Sequence, residues 1–319
     1  MKKILKYLLR FFGVVAVVLV AGAAYLNFTD IPYYEIVQQD YHATITPEKV
    51  ERGKKLALIL CANCHKNSET GLLTGMLMRD VPKEFGAIYS QNITQDKTYG
   101  IGSWTDGELY FLLRTGIKRD GQYAPPYMAK IAHMADEDVE AVIAFLRSDD
   151  PLVAAAAVAD IPCEPSFLVK FLSRVAFKPL PLPEKKIPLP DTTNLVELGK
   201  YLTFNLDCYA CHSADFKTMN VLEPEKSEGF MGGGNKTLDM EGKEIVPTAN
   251  ITPDKETGIG NWTEEQFVNA LRFGLKDGEP ALRYPMMPYM QLTDHEAKAI
   301  FAYLQTVPPI KNKIERPKL

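Results

Sequence analysis

The strongest run of apolar positions lies at the start of the chain, where Phe11 to Leu26 forms an unbroken stretch of 16 residues behind Lys2, Lys3, Lys6 and Arg10. As a helix these residues rise about 24 Å, and Leu8 and Leu9 extend the apolar length before Arg10 snorkels. That is slightly short for a spanning helix and slightly long for the core of a signal peptide. Ala21-Gly22-Ala23 would serve as a cleavage site, but the run continues through Ala24, Tyr25 and Leu26, with Phe28, Tyr33 and Tyr34 following. Residues 1–28 are therefore expected to be a retained membrane anchor, with a signal peptide as the alternative. In both cases the basic residues stay on the cytoplasmic side and the remainder is exported.

Beyond this segment the apolar spacing is helical, and no convincing strand alternation emerges. Thr46-Pro47 followed by Val50, Leu56 and Leu60 predicts a helix with proline in its first turn. Thr193 with Leu195, Leu198 and Leu202 predicts its counterpart. Thr105 with Glu108, Thr263 with Gln266 and Thr293 with Glu296 are capping-box starts. The last of these opens a helix whose apolar face includes Ala299, Ile300, Tyr303 and Leu304. Residues 151–190 hold eight prolines and read as a stiff connector. Within it, Ser166 to Phe177 predicts one amphipathic helix, with Phe167, Leu168, Phe171, Leu172 and Val175 on one side. That side is expected to pack on a neighbouring domain, with interfacial membrane contact as the alternative.

The chain repeats itself at an offset of 158 residues. Asn92-Ile93-Thr94 falls on Asn250-Ile251-Thr252, and Gly100-Ile101-Gly102-Ser103-Trp104 on Gly258-Ile259-Gly260-Asn261-Trp262. Arg114 falls on Arg272, Met128 on Met286 and Asp136 on Asp294. A shared pentapeptide, however, recurs after only 147, so the second copy carries 11 extra residues around Gly232-Gly233-Gly234, in a surface loop or small hairpin. The expected organisation is the anchor 1–28, a first domain 46–150, the connector 151–190 and a second domain 191–310. Each domain is small, mainly α, and too short to bury a large core unaided.

Composition is that of a globular protein, and a net charge of −4 argues against a nucleic-acid partner. The shared pentapeptides are Cys61-Ala62-Asn63-Cys64-His65 and Cys208-Tyr209-Ala210-Cys211-His212. Cys-x-x-Cys-His is the attachment pattern of c-type haem, two thiols for the vinyl groups and an imidazole for the iron. A redox dithiol has no need of His65 and His212, and a zinc site needs further ligands that neither half supplies nearby. Two covalently attached haems c are expected, with His65 and His212 as proximal ligands. Cys163 is left over and reads as an unreactive thiol.

Each iron of a low-spin carrier takes a sixth ligand from a loop before the last helix of its domain. In the second domain this loop is Tyr284-Pro285-Met286-Met287-Pro288-Tyr289-Met290. The repeat offset selects Met286, whereas the proline that follows it selects Met287, which is preferred here ahead of Met286 and Met290. In the first domain Met128 is the natural ligand, His133 competes, and Met134 belongs to the core. His42 and His295 are expected to be bystanders. Trp104, Trp262, Arg114 and Arg272 recur once per domain, as haem-packing and propionate-neutralising groups or as scaffold.

With its pentapeptides, Asn250 to Trp262, and Tyr284-Pro285 leading to Met287-Pro288-Tyr289, the chain resembles the multihaem cytochrome c subunits of membrane-bound bacterial alcohol, aldehyde and gluconate dehydrogenases. The resemblance implies two tandem class I cytochrome c-like domains. It also implies transfer of electrons from a dehydrogenase to quinone, an oxidase or another cytochrome, on the periplasmic side of the bacterial inner membrane. This chain has two haem motifs where that family is similar to a three-domain arrangement. It also has Pro125-Pro126 where the family's Met-Pro would stand. A carrier is expected rather than an enzyme. The alternative is a dihaem enzyme, such as a cytochrome c peroxidase or a thiosulfate-oxidising cytochrome, using His133 or Cys163.

Overall fold

The computed structural model describes residues 2–79, 81–276, 278 and 280–315. The chain opens with α1 (Lys2–Phe28), whose apolar side chains face outward along its length. The expected helices follow in two sets. The first holds α2 (Pro47–Leu60), the short α3 (Ala62–His65), α4 (Asp106–Thr115) and α5 (Asp136–Leu146). The second, after α6 (Phe167–Val175), holds α7 (Leu195–Asn205), α8 (Cys208–His212), α9 (Glu264–Phe273) and α10 (Asp294–Leu304).

The helix starts follow from local chemistry. Thr46 caps α2, accepting from the Lys49 N–H at 3.3 Å with Pro47 in the first turn. Thr105, Thr263 and Thr293 each form the full reciprocal capping box with Glu108, Gln266 and Glu296. The start of α7 differs from expectation: Asn194, not Thr193, accepts the Val196 and Glu197 N–H groups. Thr193 instead donates its hydroxyl to Asp191. α4 and α9 end on Gly116 and Gly274, both left-handed.

In each set the first and last helices pack together, α2 on α5 and α7 on α10. They cross at a glycine. A Cβ on Gly53 would enter the Ala141 carbonyl and crowd Phe145, and one on Gly199 would enter the Ala299 carbonyl and crowd Tyr303. The missing side chain therefore sets how closely the two helices approach. The first core gathers Leu73, Leu109, Met134, Val139 and Phe145, and the second Leu202, Tyr209, Phe267, Leu292 and Ile300. Ile59 of α2 belongs to the second core, so the two halves are in direct contact.

The extra residues of the second half form a hairpin, Lys236–Leu238 against Ile245–Pro247, with Thr237 opposite Val246. The connector does not run free. A two-residue antiparallel pair joins 86–87 to 164–165, the Leu180 N–H donates to the Thr115 carbonyl at 3.1 Å, and Ile187 exchanges hydrogen bonds with Asp136. A third cluster unites Ile31, Tyr123 and Val169, tying the stretch after α1, the Met128 loop and α6 together.

Candidate haem attachment sites

The two pentapeptides occupy equivalent short helices, each placed directly after the helix that crosses the last one of its half. In α3 the His65 N–H donates to the Cys61 carbonyl at 2.8 Å, which curls cysteines and histidine into one turn. The His65 Nδ1 lies 2.7 Å from the Gln91 carbonyl oxygen, and the His212 Nδ1 lies 2.8 Å from that of Ala249. A ring that donates through Nδ1 carries its lone pair on Nε2, the tautomer that ligates a metal, and the donation raises its basicity. Burial holds the His65 imidazole below its ordinary value, with the Gln91 contact opposing, so the ring stays neutral at pH 7.

Gln91 and Ala249 immediately precede the repeated Asn-Ile-Thr segments, which explains why those segments recur. The Asn92 amide oxygen accepts from the Thr94 N–H and hydroxyl at 2.9 and 2.7 Å, and Asn250 does the same for Thr252 at 3.0 and 2.7 Å. Their Nδ2 groups donate to Ala156 and Val158 in the first half and to Ile310 in the second. The Ile101 N–H returns to the Thr94 carbonyl at 2.8 Å, and Ile259 to Thr252 at 2.9 Å. Each segment is thus a strap that fixes one carbonyl opposite one imidazole. Its signal in the sequence was the repeat, but main-chain carbonyls carry no residue signature.

The thiols of Cys61 and Cys208 are pushed up to about 12, burial being the main cause. A redox dithiol needs the opposite shift. Among the described residues no three His, Cys, Asp or Glu side chains gather as a zinc site requires. Half-buried neutral thiols beside a correctly tautomerised imidazole fit covalent haem attachment.

The methionine loops match hydrogen bond for hydrogen bond at the offset of 158. Ala124 N–H to Gly116 carbonyl is mirrored by Leu282 to Gly274, Met128 to Pro125 by Met286 to Arg283, and Ile131 to Leu113 by Tyr289 to Leu271. This register pairs Met128 with Met286 rather than with Met287. Met286 also packs against the second core, whereas Met287 is 42% exposed and Met290 64%. Met134 is fully buried in the first core.

The remaining candidates are accounted for elsewhere. Arg114 is buried and donates to the Ile131 and Met134 carbonyls at 2.8 and 2.7 Å and to Asp136 at 2.6 Å. Arg272 likewise pairs with Asp294. These arginines clamp α4 or α9 to the start of the last helix, so the scaffold reading describes them. Trp104 and Trp262 pack on the two cores. His133 places Nε2 2.6 Å from the Val221 carbonyl and packs on Phe204, both in the second half. His42 is exposed beside Asp40, and His295 meets the Thr192 carbonyl at 2.8 Å. Cys163 Sγ lies 3.2 Å from the Tyr89 carbonyl.

Two site neighbours were not anticipated. Lys130 donates to the carbonyls of Pro125 and Met128 at 2.9 and 2.7 Å, bracing the first methionine loop. Burial lowers its pKa to about 7, opposed by the charge of Asp207. Asp207, next to Cys208, is raised by burial to about 6, opposed by its Tyr209 hydrogen bond and by Lys130. Both are single charged residues in loops, which sequence alone assigns to solvent.

The chain matches the family described as Cytochrome c over residues 50–149 and 196–308. It is 30% identical over 314 residues to a diheme cytochrome c-type protein of Cereibacter sphaeroides, covering 93% of this chain and 97% of that one. It is 29% identical over 277 residues to the fructose dehydrogenase cytochrome subunit of Gluconobacter japonicus, covering 81% of this chain and 52% of that one. To the gluconate 2-dehydrogenase cytochrome c subunit of Pantoea cypripedii it is 28% identical over 271 residues, covering 81% and 59%. The chain thus spans about half the length of these dehydrogenase subunits.

Proposed function

This chain belongs to the cytochrome c family, and from that premise we propose that it is a membrane-anchored electron carrier with two covalently attached haems c. It takes electrons from a dehydrogenase and passes them to an oxidase, a quinone or a further cytochrome. The observation that carries the reading is the doubled arrangement of Cys-x-x-Cys-His with a strap carbonyl on each histidine Nδ1.

Residues 46–150 and 191–310 are the two haem domains of this reading. Cys61, Cys64 and His65 hold one haem, and Cys208, Cys211 and His212 the other. The sixth ligands are Met128 and, on loop register and burial, Met286 in place of Met287. Bound there, haem c supplies one-electron exchange between ferric and ferrous iron. The chain's own part is to keep both imidazoles oriented, to hold the methionine loops against α4 and α9, and to keep the two halves in contact. Arg114 and Lys130 perform the second task in the first domain. The contact runs from Ile59, two residues before Cys61, into the second core, and from His133 to Phe204.

A two-haem relative that matches almost end to end supports the count, and the dehydrogenase subunits support a dehydrogenase as donor. The apolar α1 supports anchoring, and Lys3, Lys6 and Arg10 at its start favour haem domains on the periplasmic face. The His133–Val221 contact supports a carrier over a peroxidase, because it occupies the imidazole that such an enzyme would use as acid or base.

Haem content by pyridine haemochrome, followed by carbon monoxide addition to the reduced protein, tests the reading. Two haems per chain and no carbon monoxide binding are expected. One haem per chain would overturn the count, and stoichiometric binding at one haem would replace the carrier by an enzyme.

A further inference from the structure

The connector helix α6 has three distinct faces. Val169 and Ser173 are fully buried, and Val169 packs with Ile31 and Tyr123 beside the Met128 loop. Lys170 and Arg174 form a second ridge, directed at the end of α1. Lys170 Nζ donates to the Asn27 carbonyl at 3.2 Å, and Arg174 donates to Thr29 Oγ1 and the Asp30 carbonyl at 2.8 and 2.7 Å. The Arg174 guanidinium also sits 5.6 Å from the Tyr25 ring centroid. The third face is Phe167, Leu168, Phe171 and Val175, all 40–57% exposed. These four recur at the three- and four-residue spacing that makes one continuous stripe.

A chain that needed α6 only to pack on its first domain would bury this stripe and expose the cations. Here the cations turn to α1 and the apolar stripe turns outward. The level of that stripe is fixed by what α6 is bonded to, the last turn of α1, where Tyr25 and Phe28 are also exposed. Aromatic residues at the end of an apolar helix mark the bilayer boundary. A short helix with an apolar face and basic flanks at that level has the character of an interfacial helix.

We propose that α6 lies in the headgroup–acyl boundary of the leaflet from which α1 emerges, as a second membrane attachment that fixes the first domain's orientation. The inference rests on the reading of α1 as an anchor. Phe167, Leu168, Phe171 and Val175 enter the lipid, Lys170 and Arg174 hold α6 to the end of α1, and the exposed Lys178 meets the anionic headgroups. Because Val169 packs with Tyr123, the Met128 loop is held directly above the lipid surface.

The test uses the haem-loaded full chain in vesicles of phosphatidylethanolamine with a minority of phosphatidylglycerol. The vesicles carry a trace of phospholipid with a photoactivatable diazirine near its glycerol end. Illumination and peptide mass spectrometry are expected to find lipid adducts both at the end of α1 and on 167–175. Adducts on α1 alone would overturn the proposal and leave the anchor standing. Adducts on neither would overturn both. A second measurement places a single thiol on α6, Phe171→Cys in a Cys163→Ser background. Modification by a membrane-impermeant maleimide is expected to be several-fold slower than for Glu184→Cys in the same background. Equal rates, with Val18→Cys protected, would mean that α6 faces water or awaits a protein partner, and would refute lipid contact.

Discussion

The choice between Met286 and Met287 shows what one residue's position decides. In sequence the two are adjacent and the proline after Met287 favours it, whereas three main-chain hydrogen bonds set the loop register and give Met286 the place of Met128. Met286→Ala is therefore expected to open the second haem, so that the reduced protein binds one carbon monoxide per chain and the oxidised protein loses half of its Met–iron charge-transfer absorption. Met287→Ala is expected to bind none, and the reverse pattern would restore Met287. Arg114 tells a related story. Its repetition at Arg272 is visible, yet its role is not, because the three groups it meets lie 17 to 22 residues away, in the loop before α5 and at the first residue of that helix. Arg114→Met leaves two carbonyls and the Asp136 carboxylate without this donor, which is expected to cost about 3 kcal/mol in chemical denaturation. It should also make the first haem, and not the second, accessible to carbon monoxide.

At the scale of elements, the sequence shows most clearly what depends on local chemistry. Capping boxes, helical apolar spacing and the two haem pentapeptides are written in neighbouring residues, and the helices they predict are present. The pairing of those helices is not written locally. Gly53 and Gly199 sit mid-helix, where glycine costs about 1 kcal/mol against alanine, and only the crossing helices explain them. Gly53→Ala and Gly199→Ala should therefore destabilise, by about 2–3 kcal/mol each, because the added methyl meets a helix backbone that cannot move aside. Equilibrium unfolding of the haem-loaded variants checks this, and a stabilisation of either would mean that the helices can part without loss. The tethering of the connector is hidden in the sequence for the same reason. Its prolines indicate a stiff extended stretch, whereas its hydrogen bonds to Thr115 and Asp136 come from residues distant in sequence.

The whole molecule is held together by a junction between its halves, and that junction has a pH dependence that can be worked out. Ile59 enters the second core, Tyr201 accepts from the Ala135 N–H at 3.1 Å and donates to Asp138, and Lys55 of α2 pairs with Glu296 of α10. Glu296 serves two purposes, since it also closes the α10 capping box by accepting the Thr293 N–H at 2.7 Å. Burial alone would raise its carboxyl, but the Lys55 ammonium and the Thr293 N–H hold it below its ordinary value of 4.5. A depressed carboxylate contributes fully above its unfolded value, and the contribution disappears as pH falls through the folded one. The side chains of Lys55 and Glu296 remain 27% and 21% exposed, so the pair is expected to supply only about 1 kcal/mol. Glu296→Gln should therefore lower stability at pH 7 by about that amount and converge with the parent as pH falls through the depressed folded-state value, after allowance for the other titrating carboxylates. Lys55→Met should show the same convergence while leaving the α10 cap intact. If Lys55→Met instead matched the parent at every pH, the ion pair would contribute nothing. The junction between the two halves would then rest on Ile59, Tyr201 and the packing of His133 on Phe204.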